Sequence, residues 1–346
     1  MGRKYRVGIL GATGTVGQRF CELLENHPQF EITALAASDR STGKPYSEAC
    51  AWKLARPMPE TVKGITVQPI EPPLDCEIVF SSLPSSVARE TEELFARAGY
   101  PVISNSSNYR MDEDVPLLIP EINHDHVGLI EVQQQKRGFG KGFIVTNPNC
   151  AVASFAPPLA ALHRRFGVDS AVITTLQAIS GAGYPGVSAM DITDNVIPYI
   201  AGEEPKVEIE AQKILGEFVN GGIEKADFTV SAQCFRVNVL DGHTASVRVN
   251  LKQTSTLEEV IDAMAAFPGL NLHSSPAKFI DISDEPSRPQ PRLDRDRGNG
   301  MTVTVGRIFP DNVFQYRFVS LSHNTVRGAA GSAILNAELL IDKGII

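Results

Sequence analysis

The sequence predicts an α/β protein of two units: a doubly wound parallel sheet that binds a nucleotide, then an α+β unit with a mixed or antiparallel sheet. Three observations carry this. Up to about residue 146, short apolar runs alternate with amphipathic ones, as in strands joined by crossover helices. The first strand turns into its helix through regularly spaced glycines. After Cys150 the alternation stops and long β-rich runs come in pairs, which favours antiparallel or mixed pairing. A chain of 346 residues is long enough for two domains of ordinary size.

"YRVGIL" is the first strand and "TVGQRFCELLENHP" the helix after it. Gly8, Gly11, Gly14 and Gly17 recur at every third position between and around them. Gly11 and Gly14 let backbone approach a pyrophosphate, and the helix N-terminus holds its charge. Gly17 lets helix and strand pack closely. A mere tight βα turn is the alternative. "FEITALAAS" is the second strand, and "DCEIVFSSLPSSVARETEELFARAGYPVISNSS" reads as strand, turn, helix and strand. Ligands of such sheets bind at the C-terminal strand ends, here Gly11 to Gly14, Ser38 to Ser41, Ser81 to Pro84 and Asn105 to Ser107. At the second of these, Asp39 suits the ribose of NAD, whereas Ser38, Arg40 and Ser41 suit the extra phosphate of NADP. The donors outnumber the acid, so NADP is expected, with NAD as the alternative. A solvated loop pair is the plainer account of Asp39 and Arg40.

"GFIVT" (142–146) is a buried strand, and "NPN" after it is a turn. "CAVASFA" begins a helix with Asn149 as N-cap, which puts Cys150 in the first turn. There the helix dipole lowers a thiol pKa and makes a nucleophile. A buried, inert cysteine is equally compatible with this stretch alone. Pro157 and Pro158 either kink the helix or begin a second one.

In the second half, "SAVITTLQAIS" (170–180) is a long strand. "ADFTVSAQCFRVNVLDGHTASVRVNLK" (226–252) and "GMTVTVGRIFPDNVFQYRFVSL" (300–321) each read as two strands. Helices are expected at "VSAMDITDNVIPYIA" (187–201) and "KVEIEAQKILGEF" (206–218), covering one face. "DISDEPSRPQPRLDRDRGNG" (281–300) reads as an ordered surface loop. "HNTVRGAAGSAILNAELLIDKG" is glycine-rich, then helical. Gln177 ends a strand before a flexible "SGAGYPG" loop. Arg236 and His243 reach one cleft from adjacent strands if a turn lies at Asp241-Gly242, and histidine is suited to proton transfer near neutral pH. Glu210 and Lys213 share a helix face at i, i+3, by default as a solvated pair. Arg110, after a strand end, binds an anion or makes a loop salt bridge.

Net charge is −8 and hydrophobic content 42%, which suits a soluble globular protein without general affinity for nucleic acid or anionic membrane. Five scattered cysteines, with no C-x-x-C, suggest neither a disulfide framework nor a zinc site. No apolar run could span a membrane, and the first residues lack a signal-peptide core. The chain begins Met-Gly, but Arg6 stands where a myristoylation motif wants Ser or Thr. A reducing, cytoplasmic compartment is expected.

Taken together, "LGATGTVGQRF", "ASDRSTGKPY", "NYRMDEDVPLLIPE", "TNPNC", "QAISGAGYPG", "EAQKILG", "RVNVLDGHT", "RPQPRLDR" and "HNTVRGAAGSAILNAELL" resemble the aspartate-semialdehyde dehydrogenase family, in the branch common to archaea and fungi. They run in order through almost the whole chain. The resemblance implies a glyceraldehyde-3-phosphate-dehydrogenase-like fold. Residues 1–149 are then a Rossmann-like dinucleotide-binding domain on which a C-terminal helix (324–346) packs back, and 150–323 a catalytic and dimerisation domain. It implies Cys150 as nucleophile, His243 as general acid/base and Gln177 as the residue that orients the acyl group. Arg236 would clamp the substrate carboxylate and Glu210 face its amino group, with Asn149 also at the substrate. Arg110 and Lys213 would bind phosphate. The cofactor would lie on Gly11, Ala12, Thr13, Gly14, Thr15, Val16, Ser38, Arg40, Ser41, Ser82, Leu83, Ser180, Gly181 and Asn324. No metal is implied. The implied reaction is reduction of aspartyl phosphate to aspartate semialdehyde by NADPH, through a cysteine thioester and thiohemiacetal. It serves lysine, threonine, methionine and isoleucine synthesis in a homodimer or homotetramer.

Malonyl-CoA and succinyl-CoA reductases share "PVISNSS"- and "SLSHNTVRGAAG"-like segments but need no phosphate site or amino-group acceptor. Asn149, Thr244 and the Glu210–Lys213 pair favour the semialdehyde enzyme. N-acetyl-glutamyl-phosphate reductase has glycine where Asn149 stands. A non-catalytic NADP-binding protein would not be expected to keep Cys150, Gln177, Arg236 and His243 together.

Overall fold

A computed structural model describes residues 3–346. Met1 and Gly2, on which the lipidation reading turns, lie outside the described residues.

Strands β1 (Tyr5–Leu10), β2 (Phe30–Ala36), β3 (Ile78–Ser81), β4 (Pro101–Ser104) and β5 (Phe143–Thr146) form a parallel sheet in the order β2-β1-β3-β4-β5. The central strands are buried on both faces, which is why they read as unbroken apolar runs. On one face the helix Ser85–Arg97 contributes Ala88, Phe95 and Ala96 to a core with Leu10, Val79 and Ile144. On the other, Ala333, Ile334, Ala337 and Leu340 of the helix Gly331–Asp342 pack with Val7, Ile9 and Phe80. The last helix in the chain thus covers the first sheet. Strand order reverses between β1 and β3, and the crevice at that switch point opens where their C-terminal ends meet.

The second sheet contains β6 (Val168–Gln177), β9 (Thr229–Arg236), β10 (His243–Leu251), β11 (Ile280–Ser283), β12 (Val303–Pro310) and β13 (Tyr316–Ser322), while β7 (Glu217–Val219) and β8 (Gly222–Glu224) make a separate hairpin. Its order is β11-β12-β13-β10-β6-β9, with β6–β9 and β11–β12 parallel and the other pairs antiparallel. Along β10, buried and half-buried residues alternate strictly, so one face lies on the core and the other stays open. The core face packs against the helices Val152–Phe166, Glu204–Ile214 and Leu257–Ala265.

Several expectations change. β9 and β10 are not neighbours; β6 lies between them, because the chain crosses over before pairing. Of residues 187–201 only Ala189–Ile192 is helical; exposed Met190, Val196 and Tyr199 give that stretch no buried stripe to hold a longer helix. Residues 281–300 are not all loop: Ile280–Ser283 pairs with β12, and Pro291–Asp294 forms a short helix. The C-terminal helix proper is Gly331–Asp342, preceded by a π-helical turn at Val326–Ala330. One helix, Val152–Phe166, runs through both Pro157 and Pro158. Among the described residues no helix is long and apolar enough to cross a membrane.

Candidate active site

Thr146 ends β5, and Asn147-Pro148-Asn149 carries the chain across to the second unit. The helix begins at Val152, so Cys150 lies just ahead of its first turn rather than within it. Asn149 Oδ1 accepts from Ala151 N–H (2.8 Å), which fixes the approach to the helix. From behind, Asn147 Nδ2 donates to Asn105 Oδ1 (2.8 Å) and to the Ala329 carbonyl (2.9 Å), and Asn336 Nδ2 donates to Asn147 Oδ1 (2.6 Å). These bonds hold the π-helical turn against the cysteine so closely that a Cβ on Gly328 would come within 2.7 Å of Cys150 Cβ.

The other side of the site is a strand rim. Gln177 on β6 pairs in register with Arg236 on β9. His243, the first residue of β10, sits opposite Ser322 on β13 and one place beyond the Thr244–Leu176 pair. Register therefore puts Arg236, Gln177 and His243 side by side at one end of three neighbouring strands. Gln177 Nε2 donates to Thr175 Oγ1 (3.2 Å), and one guanidinium nitrogen of Arg236 donates to the Ala178 carbonyl (2.8 Å). A Cβ on Gly181 would lie 2.9 Å from that arginine nitrogen and 3.0 Å from His243 Cε1, so the loop after β6 closes over both.

His243 Nε2 lies 3.2 Å from Cys150 Sγ. Its Nδ1 accepts from Ala178 N–H (3.1 Å), which places the neutral ring's single proton on Nε2, facing sulfur. Burial, with Arg236 and His323 nearby, pushes the imidazole down to about 3. Burial also pushes the Cys150 thiol up to about 12, and Glu203 adds to this against Arg110 and Arg236. The expected low thiol pKa is not found. Sulfur stands ahead of the helix rather than in its first turn, and its burial disfavours the thiolate most. The resting pair is a neutral thiol beside a neutral imidazole.

Glu210 and Lys213 are buried, not a solvated pair. Glu210 Oε1 accepts from Arg110 (3.1 Å) and Oε2 from Asn149 N–H (2.6 Å), so its carboxylate joins the Arg110 loop to the turn before Cys150. Lys213 Nζ donates to the carbonyls of Arg110 (2.8 Å), Asp112 (2.7 Å) and Val115 (2.8 Å). All three of its donors are used, so it anchors the Arg110 loop; burial pushes its ammonium down to about 8. Arg110 Nε is buried without a partner among the described residues. Asn149 likewise spends its side chain on the protein, with Nδ2 donating to Glu203 (2.8 Å).

A family model described as "Semialdehyde dehydrogenase, NAD binding domain" matches residues 6–130, and one described as "Semialdehyde dehydrogenase, dimerisation domain" matches 159–327. An Archaeoglobus fulgidus aspartate-semialdehyde dehydrogenase is 53% identical over 99% of this chain and 100% of its own length. One from Schizosaccharomyces pombe is 47% identical over 99% of both. The chain belongs to the aspartate-semialdehyde dehydrogenase family. A Candida albicans member of this family, solved with NADP, superposes with a TM-score of 0.91 at 44% identity, covering 99% of this chain and 100% of that one.

The family's first domain is visible in the glycine turn. Gly11 has φ +76°, and a Cβ there would come within 2.9 Å of the Ser82 carbonyl, at the β1–β3 crevice. Gly14 caps the helix Thr15–Leu23 with no side chain over its first N–H groups, the arrangement an anion needs. A Cβ on Gly17 would lie 2.4 Å from the Gly11 carbonyl oxygen. Ala12 is held by Tyr46, whose hydroxyl donates to its carbonyl (2.7 Å). Thr13, Thr15 and Val16 border the turn, half-buried, and Leu83 is buried beside Ser82. At the end of β2, Ser38 and Arg40 are exposed and Ser41 is buried. Asn324 Nδ2 donates to Ser180 Oγ (2.8 Å) while its Oδ1 accepts from Gly242 N–H (2.8 Å), tying the Ser180–Gly181 loop to the turn before His243. The sequence-predicted residues thus fall into three groups: the glycine turn with the β2 and β3 ends, the strand rim facing Cys150, and the Arg110 cluster. Sequence reasoning missed Glu203, Asn147, Asn336 and Gly328. Glu203 alone left a signal: it precedes Glu210 by seven residues, two helical turns on one face.

Proposed function

We propose that the chain catalyses the NADP-dependent interconversion of aspartyl phosphate and aspartate semialdehyde, in cells toward the semialdehyde, with Cys150 as nucleophile. The contact of Cys150 Sγ with His243 Nε2, at 3.2 Å, carries this reading. The glycine cradle fits the dinucleotide, since backbone fills the space any side chain at Gly11 would need. Exposed Ser38 and Arg40 with Ser41 are the residues for its additional phosphate. When bound, NADP supplies the hydride donor or acceptor.

Cys150 attacks the acyl carbon as thiolate, its proton leaving to solvent, and phosphate leaves toward Arg110. Arg110, positioned by Glu210 and by Lys213 through its loop, is the phosphate ligand. Arg236 presents its remaining N–H edge to the substrate carboxylate, and Gln177 in register beside it orients the acyl group. His243 donates its Nε2 hydrogen bond to the oxyanion that forms beside sulfur. A second proton on the ring would meet Ala178 N–H, which favours this donor role over that of a strong base. The thioester keeps the acyl group activated between phosphate transfer and reduction.

We also propose a cytoplasmic homodimer or dimer of dimers. The open face of the second sheet supports the dimer: it carries exposed Leu176 and half-buried Val172, Ser246 and Val319. Light scattering that reports a monomer at working concentration removes it.

The test is NADPH formation from aspartate semialdehyde and NADP, with and without inorganic phosphate. Turnover that needs phosphate is the expected result. Turnover with CoA but not phosphate would instead mark a CoA-dependent reductase using the same cysteine.

A further inference from the structure

Two neighbouring strand ends lead to the two halves of the chemistry. β4 and β5 pair in register up to Ser104 and Thr146, and Asn147 N–H still donates to the Ser104 carbonyl (2.9 Å). Asn105 and Asn147 are therefore the residues just past the last pair. Five residues beyond Asn105 stands Arg110; three beyond Asn147 stands Cys150. Asn147 Nδ2 donates to Asn105 Oδ1 (2.8 Å), which ties the two departing loops together. Arg110 in turn donates to the Asn105 carbonyl (2.8 Å).

The Asn147 amide is buried and fully committed. Its other hydrogen goes to the Ala329 carbonyl, next to the Gly328 that abuts Cys150, and its oxygen accepts from Asn336 on the last helix. A flipped amide would set its oxygen against two acceptors, so only one orientation satisfies the network. Asn336 Oδ1 is buried without a partner among the described residues. Apolar side chains of the same shape would remove that orphan with little or no loss of stability. Stability therefore does not account for asparagines here. Position does, because directional bonds fix a loop where apolar packing lets it rearrange.

We propose that Asn147 is a positioning residue that holds Cys150 in register with Arg110 for phosphate transfer, with Asn336 as its footing on the last helix. The inference rests on the aspartyl phosphate reading. In that step, written toward the acyl phosphate, a phosphate oxygen attacks the thioester carbon, the C–S bond breaks, and sulfur leaves as thiolate. The phosphate is on Arg110 and the acyl carbon on Cys150, so the step depends on the separation of two loops. Hydride loss from the thiohemiacetal to NADP needs Cys150 and His243 but not Arg110. Glu210 braces the same two loops from the second unit, through Arg110 and the Asn149 N–H.

The experiment reads the two steps apart in wild type, Asn105→Ala, Asn147→Ser and the double variant, with NADP fluorescence titration and thermal melting as checks on folding. Without phosphate, rapid mixing with aspartate semialdehyde and NADP gives a burst of NADPH that reports thioester formation alone. With phosphate, kcat/KM for phosphate reports transfer. Asn105→Ala should lower kcat/KM for phosphate about ten- to a hundredfold, the cost of a small misplacement, and slow the burst far less. Asn147→Ser should lower both, because it also releases Ala329. For phosphate, the double variant should be no worse than Asn147→Ser, since the two changes break one shared bond. Losses that multiply overturn the proposal. So does an Asn105→Ala enzyme whose burst slows as much as transfer, or whose transfer is unchanged. If Asn147→Ser does not fold, Asn336→Ala takes its place: a severalfold fall in kcat/KM for phosphate is expected, and an unchanged value overturns the footing. A wild type that gives no burst, or needs CoA in place of phosphate, refutes the functional reading instead. Iodoacetamide then tests the tie directly. Phosphate should slow alkylation of Cys150 in wild type and severalfold less in Asn105→Ala; equal protection, or none, overturns the proposal.

Discussion

The glycine turn after β1 and the rim of β6, β9 and β10 solve opposite problems. The turn binds with backbone, and its parts are contiguous: Gly11, Gly14 and Gly17 span two turns of chain. The rim presents side chains, and its parts are scattered: Gln177, Arg236 and His243 come from three strands and face Cys150 on a fourth segment. A contiguous site can be specified by local sterics. A scattered one depends on register, where a slip of one residue turns a side chain to the other face of the sheet. The cradle should therefore fail through backbone clash, and the rim through loss of one group or a small displacement.

The largest effect tests the rim. Cys150→Ala should abolish NADPH formation while NADP still binds, as followed by fluorescence titration; surviving turnover would remove the nucleophile. Next, His243→Ala should cost about 10²–10⁴-fold in kcat, the range for loss of acid–base and hydrogen-bond help at one centre. Gly181→Ala sharpens the contrast, since it adds one methyl group and removes nothing. With its Cβ 2.9 Å from Arg236 and 3.0 Å from His243, it should lower kcat/KM about a hundredfold by misplacing both. An unchanged rate would mean that the rim tolerates displacement.

For the cradle, Gly17→Ala should destabilise the protein by about 3 kcal/mol, because its Cβ meets backbone at 2.4 Å that cannot swing aside. Urea unfolding measures this, and NADP affinity should fall with it. The smallest effect lies beneath the crevice. Ser81 Oγ and Ser104 Oγ both donate to Glu92 Oε1 (2.6 and 2.7 Å), and burial pushes this carboxyl up to about 7. The folded state then binds more protons than the unfolded one between about pH 4.5 and 7, so stability falls as pH rises through that window. Glu92→Gln should gain on the order of 2 kcal/mol at pH 8 and nothing at pH 4. An equal gain at both pH values would show that charge is not the cause.

Much of this was legible beforehand for identifiable reasons. Gly11, Gly14 and Gly17 announce themselves because only glycine tolerates that φ and those contacts. Asn147-Pro148-Asn149 announces a turn before Cys150. The helix expected over 187–201 shrinks to Ala189–Ile192 because no core face exists there to reward a longer one. Spacing puts Glu210 and Lys213 on one helix face, by default as a solvated pair, because it does not say what that face meets; both are buried. Their partners, the carbonyls of residues 110–115 and the Asn149 N–H, are about a hundred and about sixty residues away in the chain.

The sequence by itself determined the two sheets, the cofactor turn, the cysteine after its Asn-Pro-Asn turn, and the family. Each rests on local pattern: strand period, glycine sterics, turn chemistry, motifs in order. Only the tertiary structure decided that β6 separates Arg236 from His243, that the thiol rests protonated, and that Glu203 reaches the site. Those are matters of register, burial and the field of distant charges, and none is a property of neighbouring residues in the chain.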